Sequence, residues 1–251
     1  QHLCGMTGTA MEVSGEVATE YSMAVRSVPT DSKIRRWNEG TSIFRTESEK
    51  WGKVTTRIIQ VAKLQRRPVL VGLRTVSGAE NLSAALKASG VPHAVLSAKQ
   101  DAGEAEIVAE AGRPGRVTVA TNMAGRGTDI KVDDSLDEKG GLHVILTEYH
   151  ESVRIDRQLI GRTARQGNNG TFETIVSLED ELFERFAKRP RDFLLAVSKI
   201  VPGESLPTFF ATVLRKVSQY RAERLNASIR FHHVKSDQQM RDAMSFSGKA
   251  E

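Results

Sequence analysis

The sequence predicts an α/β fold, a doubly wound parallel sheet with helices on both faces, followed by a C-terminal helical segment. Three observations predict it. Short apolar runs recur, among them Pro68-Val69-Leu70-Val71-Gly72 and Leu142-His143-Val144-Ile145-Leu146, as expected of strands buried on both faces of a parallel sheet. These runs alternate with stretches of helical periodicity at intervals that suit βαβ units. From about residue 179 onward the periodicity is helical alone.

Along the chain, residues 5–10 are small and turn-prone, and residues 11–21 form a weak helical stretch. Residues 24–28 read as a short strand stopped by Pro29, and residues 29–39, with Lys33, Arg35 and Arg36, as a polar linker. Trp51, Val54, Ile58 and Val61 recur at helical spacing and predict an amphipathic helix over 47–65. The strand at 68–72 leads into a helix capped by Ser77 and ended by Gly90. Residues 93–96 predict a strand, 104–111 a helix closed by Gly112, and 117–120 a strand that runs into a glycine-rich loop. A strand over 142–146, a helix over 151–164 and a strand over 171–178 complete the sheet. Beyond it, Leu182, Phe183 and Phe186 share a face before Pro190, and a second helical stretch runs to about Val201. Phe210, Val213, Leu214, Val217 and Leu225 mark a long helix whose apolar stripe needs a partner surface, and the polar tail from Lys235 is expected to fray. In open parallel sheets ligands bind beyond the carboxyl ends of the strands, so a site is expected at that edge.

Composition excludes several classes of function. A chain of 251 residues with 39% hydrophobic residues can bury a core, which excludes disorder as its main state. No run approaches the ~18 consecutive apolar residues that a membrane-spanning helix needs. Cys4, the single cysteine, excludes an intramolecular disulfide framework and a multi-cysteine zinc site, and suits a reducing compartment. The net charge of +5 permits nucleotide, nucleic acid or acidic lipid as partners and selects none. The six histidines show no metal-ligand spacing with carboxylates, so no metal centre is expected. Arg215, Lys216, Arg221, Arg224 and Arg230 either touch acidic lipid or nucleic acid or form a solvated helix face. The opening Gln1-His2-Leu3-Cys4-Gly5, with no Met and no basic-then-apolar segment, reads as a cut from a longer protein.

Two segments carry chemistry. The first comes after the strand at 117–120 and reads Thr121-Asn122-Met123-Ala124-Gly125-Arg126-Gly127-Thr128-Asp129-Ile130. Glycines on either side of an arginine let the backbone approach a ligand closely. Asp129 then accepts hydrogen bonds from ribose hydroxyls or from a partnering arginine, or it is a solvated turn residue. The second segment is Gln158-Leu159-Ile160-Gly161-Arg162-Thr163-Ala164-Arg165-Gln166-Gly167. Arg162 and Arg165, three apart, would share a face on a helix. Two guanidiniums aimed one way clamp a polyanion; the alternative is a solvated basic face.

Taken together and in this order, the segments resemble the second RecA-like motor domain of superfamily 2 helicase-type ATPases, and more specifically the SecA family of preprotein translocase ATPases. Residues 120–130 match the SecA form of the fifth helicase motif throughout, and Gly5-Met6-Thr7-Gly8-Thr9-Ala10 is similar to the motif that ends the first motor domain. Gly140-Gly141-Leu142-His143-Val144-Ile145, Thr147-Glu148, His150-Glu151-Ser152 and Arg154-Ile155-Asp156-Arg157-Gln158-Leu159 are also SecA-like, and Val69-Leu70-Val71-Gly72 fits the fourth motif. Departures imply a divergent member: Ile160 stands in place of an arginine, and Asn168-Asn169 in place of Asp-Ala.

The resemblance implies a RecA-like, P-loop NTPase-type sheet and a division into residues 1–30 (end of the first motor domain and linker), 31–200 (second motor domain) and 201–251 (start of a helical scaffold). It implies that Arg162 and Arg165 are arginine fingers toward the γ-phosphate and that Asp129 contacts the nucleotide. Gly125, Arg126 and Gly127 would shape a coupling loop, and Gln158 would sit at the seam between motor domains. ATP is the implied cofactor, with Mg²⁺ held by the upstream motor domain. The implied partners are that domain, unfolded preproteins and the Sec membrane channel, at the cytoplasmic face of the membrane. The sequence contains no Gly-x-x-x-x-Gly-Lys-Ser/Thr and no Asp-Glu-Ala-Asp-like carboxylate pair. Phosphate cradling and Mg²⁺ binding need those groups, so this stretch alone is expected to hydrolyse ATP negligibly. The alternatives are the C-terminal half of an RNA or DNA helicase, or a degenerate interaction module.

Overall fold

A computed structural model describes residues 4–96, 104–121, 129–198 and 205–247. Six strands form one parallel sheet: β1 (Arg35–Phe44), β2 (Val69–Leu73), β3 (Ala94–Leu96), β4 (Val117–Thr121), β5 (Leu142–Leu146) and β6 (Asn169–Ser177), in the spatial order β1-β6-β5-β2-β4-β3. The helices are α1 (Ser14–Tyr21), α2 (Glu47–Ile58), α3 (Val76–Ala88), α4 (Glu104–Glu110), α5 (Val153–Ile160), α6 (Glu181–Phe186), α7 (Lys188–Ser198) and α8 (Thr208–Ser247).

Strand alternation distributes the core over both faces. Val69, Val71 and Leu73 pack with Val54 and Ile58 of α2 and Leu82 and Leu86 of α3. Leu70 turns to the opposite face, with Val108 of α4, Leu142 and Val144. On that second face Leu146, Tyr149, Val176 and Phe183 meet Leu214 and Ala222 of α8. The apolar stripe that the sequence left without a partner therefore docks on the β5–β6 side. Every residue of β2, β4 and β5 is buried, and these are the strands the sequence located best.

Several expectations are corrected. Residues 24–28 form no strand, and Val28 is 85% exposed. The residues from 35 on, read as linker, form the edge strand β1. Its polarity misled because an edge strand faces water along much of its length: Ile43 and Phe44 alone are buried in it. Thr75, not Ser77, caps α3, its Oγ1 accepting from Gly78 N at 3.0 Å. Ser77 already lies inside the helix. The helix expected over 47–65 ends its α-helical part at Ile58 and continues as a π-helical turn to Leu64. The tail expected to fray continues α8 to Ser247, consistent with the absence of Gly and Pro from 208 to 247. No helix among the described residues is long and apolar enough to cross a membrane.

Candidate functional site

The second motif segment does not lie on one helix. The helix expected over 151–164 stops at Ile160. Two close approaches fix the path of the chain around its end. Gly72 of β2 has no room for a side chain, because a Cβ there would fall 2.0 Å from Leu159 Cδ2. Gly170, at the start of β6, is equally crowded: a Cβ would lie 2.1 Å from Thr163 Oγ1. Thr163 in turn donates to Leu142 O at 2.6 Å, so the chain after α5 is seated on the starts of β5 and β6. Ala164 (φ +58°), Gln166 (φ +54°) and Gly167 (φ +84°) then adopt left-handed backbone. For non-glycine residues that costs roughly 1–2 kcal/mol each, and such strain persists only where the surroundings impose it.

This strained turn presents Arg165. Its Nε donates to Gly161 O at 3.0 Å and its Nη1 to Asp129 Oδ1 at 2.8 Å. Gln166 Nε2 donates to Asp129 Oδ2 at 3.2 Å. The two motif segments, 36 positions apart, thus meet at one carboxylate. They border a cleft of about 570 Å³ that Arg113, Lys131, Asp133 and Asp134 also line. Its lining comes from the segments leading into β4, β5 and β6. The cleft therefore lies at the amino edge of the sheet, opposite the edge where the general rule looks.

The carboxyl edge near β5 and β6 is already filled. Lys50 of α2 and Asp180, just beyond β6, form a buried ion pair at 2.6 Å, with Ser177 Oγ donating to the same carboxylate at 2.7 Å. Glu148 lies beside them. Burial raises its pKa; Asp180 adds to the rise, and Lys50, Arg74 and His150 oppose it. The sequence reading missed Lys50. The available signal was a lysine at i, i+4 and i+8 spacing with Val54 and Ile58 on the apolar face of α2.

The remaining site residues are spread over several elements. Arg162 is partly exposed in the turn after α5, and among the described residues Arg165 lines the cleft while Arg162 does not. The shared helical face expected for the pair is absent because α5 has ended before either residue. Gln158 Nε2 donates to Thr9 Oγ1 at 3.3 Å, joining α5 to the opening segment. Arg157 makes a second link to that segment through Glu12. Arg36 donates to Ile160 O at 3.4 Å; burial, and then the nearby Arg157, lower its pKa. Gly125, Arg126 and Gly127 lie outside the described residues.

One cluster has the composition of a metal centre. Glu39, His143 and Glu173 offer three ligand atoms within 4.8 Å of one another, although their sequence spacing gave no hint of it. Arg57, however, sits on both carboxylates, and Arg67 is 3.8 Å from Glu39. His143 bonds Glu173 Oε1 at 2.8 Å through Nε2 and Thr171 Oγ1 at 2.7 Å through Nδ1. Two guanidiniums already neutralise the two carboxylates, so the cluster is an ion-pair network. Burial alone would raise the pKa of Glu173, but His143 and Arg57 outweigh it and hold the carboxyl below its ordinary value.

Comparison with known proteins bears on the same residues. The SecA P-loop domain family matches residues 33–139 and 133–200. The chain is 46% identical over 252 residues to protein translocase subunit SecA 2 of Nitrosospira multiformis, covering 99% of this chain and 37% of that protein. It is 44% identical over 230 residues to protein translocase subunit SecA of Thermotoga sp. (strain RQ2), covering 92% of this chain and 26% of that protein. The chain thus spans little more than a third of the curated relatives' length, or less. Among solved structures, the yeast DEAD-box splicing factor Prp28 superposes with a TM-score of 0.51 at 17% identity, over 85% of this chain and 44% of that one. That likeness is one of fold: a RecA-like helicase-type domain.

Proposed function

The chain belongs to the SecA family, and from that premise we propose that it is the second motor domain of a SecA-type ATPase that drives unfolded polypeptides across a membrane. The observation that carries the reading is the convergence of Asp129 and Arg165 in a cleft with two further cations, Arg113 and Lys131. Three cations and the carboxylates of Asp129, Asp133 and Asp134 line this cleft, and the guanidinium of Arg165 is the group in it that suits a phosphoryl group. In this reading an upstream motor domain faces the cleft and brings the phosphate-cradling loop and the carboxylates for Mg²⁺. Bound there, ATP supplies the phosphoryl group that water accepts.

The residues of this chain do the rest. Arg165, held at Nε by Gly161 O, would turn from Asp129 to the transferring phosphoryl, where a positioned arginine is worth about 10³–10⁵ in rate. The change of partner is cheap. Arg165 and Asp129 are 39% and 37% exposed in their side chains, and ion pairs so exposed are worth about 0–1 kcal/mol. Asp129, once released, would accept hydrogen bonds from ribose hydroxyls. Arg162 would act beside Arg165, while Gly125, Arg126 and Gly127 would shape the coupling loop. Gln158 would lie at the seam between motors, a role supported by its bond to Thr9. Residues 1–30 would close the first motor and 201–251 begin a helical scaffold. The working location is the cytoplasmic membrane face, at the Sec channel.

The test is steady-state Mg-ATP turnover of the full-length protein. Arg165→Ala should lower kcat by about 10³-fold or more with little change in nucleotide affinity. The 251-residue chain alone should turn over negligibly. Unchanged kcat in Arg165→Ala, or robust turnover by the isolated chain that Arg165→Ala abolishes, overturns the reading. Stimulation by RNA in place of unfolded polypeptide would make the protein a helicase.

A further inference from the structure

The helix that leads into the arginine turn is gripped at its start by α8. Asp156, on the first turn of α5, is 4% exposed. Its Oδ1 accepts from His150 N at 3.0 Å and lies 2.7 Å from His150 Nδ1. Its Oδ2 accepts from Gln219 Nε2 of α8 at 2.7 Å. The same Nε2 donates to His150 O at 3.0 Å, so both amide hydrogens of Gln219 serve the start of α5.

One turn further along α8, Glu223 continues the grip. Its Oε1 accepts from Ser152 Oγ at 3.1 Å and from Val153 N at 3.3 Å. Ser152 is the N-cap of α5 but makes no side-chain cap bond of its own. Glu223 therefore satisfies an orphan N–H of α5 from another helix and places negative charge at its amino end, where the helix dipole favours it. Asn226 Nδ2 then donates to Glu151 Oε2 at 2.9 Å. Residues 219, 223 and 226 stand at i, i+4 and i+7 on α8, one face of that helix.

At its other end α5 meets the machinery of the site. Leu159 packs against Gly72, Ile160 O accepts from Arg36, and the chain enters the turn that presents Arg165. Eight residues of helix span about 12 Å. A rod of two turns, held by α8 at one end and continuous with the arginine turn at the other, shifts the turn when α8 shifts.

We propose that Asp156, Gln219 and Glu223 form a polar clasp that couples the arginine turn to α8, as positioning residues for the ATPase. This inference rests on the reading of Arg165 given above. A buried carboxylate and amide in place of apolar packing hold one register between two helices, a use of buried polar groups attested elsewhere. The clasp is also physically contiguous with the turn, and the double variants test whether it carries coupling.

The test compares Gln219→Leu and Glu223→Ala in the full-length protein, each alone and combined with Arg165→Ala. Each single variant should lower kcat about 2- to 30-fold while KM for ATP holds; the melting temperature should hold in Glu223→Ala and fall in Gln219→Leu, which strips a donor from the buried Asp156. Neither should add a loss in the Arg165→Ala background, because the clasp acts through that arginine. Unchanged kcat, an equal loss in both backgrounds, or a loss in Glu223→Ala matched by weaker nucleotide binding and a lower melting temperature overturns the clasp. If Arg165→Ala itself leaves turnover intact, the site reading fails instead, and the two failures are distinct. Glu223 is exposed, so Glu223→Ala carries the test should Gln219→Leu fail to fold.

Discussion

At the scale of single residues, Glu173 links ionisation to stability. Its Oε1 accepts from Arg57 Nε at 2.5 Å and from His143 Nε2 at 2.8 Å. Arg67 Nη2 donates to Thr171 Oγ1 at 2.5 Å, and the same hydroxyl lies 2.7 Å from His143 Nδ1. The Glu173 carboxyl is held below its ordinary 4.5. A carboxyl depressed in the folded state stabilises above its unfolded pKa, and that stabilisation is lost as pH falls through the lower folded value. Glu173→Gln should therefore destabilise the fold by about 1–3 kcal/mol at pH 7. Urea midpoints should show the gap between variant and parent shrinking below about pH 4.5. A gap independent of pH would remove ionisation from the account.

At the scale of elements, α2 shows how a helix is tied down by a charge. Thr46 and Glu49 form a capping box at its start, and Val54 and Ile58 face the sheet. Lys50 would face the same core unpaired, were Asp180 not waiting 130 positions away. Removing one partner of a buried pair strands the other, at a cost of about 3–5 kcal/mol, whereas replacing both by apolar groups is often neutral. Lys50→Met should accordingly lower stability by that amount, and adding Asp180→Leu should recover only part of it, because Ser177 N and Oγ lose their acceptor. The comparison is read from denaturant midpoints. A double variant as unstable as the single one would mean that the pair holds α2 by more than charge balance.

At the scale of the whole molecule, the sheet and the first part of α8 form one packed body. Leu214, Ser218, Gln219 and Ala222 are buried against it, while every residue from 228 to 235 is exposed. Truncation after Lys235 should shift the melting temperature by less than about 2–4 °C. Truncation before Leu214 should cost far more, because it uncovers Tyr149 and Phe183. Equal shifts from the two cuts would show that the docked stripe contributes little.

The inner strands were legible locally, since a strand buried on both faces must be apolar whatever its neighbours are. The two motif segments were legible as a family resemblance, and of their residues Asp129 and Arg165 meet at one cleft. The edge strand β1 was not legible, because its identity depends on pairing with β6 more than a hundred positions away. Nor were the buried Lys50, the amino-edge position of the cleft, or the grip of Gln219 on Asp156. A sequence determines by itself what each segment can bury and cap. Whether a charge may be buried, and which arginine meets which carboxylate, is decided only when distant groups supply the counter-charge and the hydrogen bonds, and that happens in the tertiary structure.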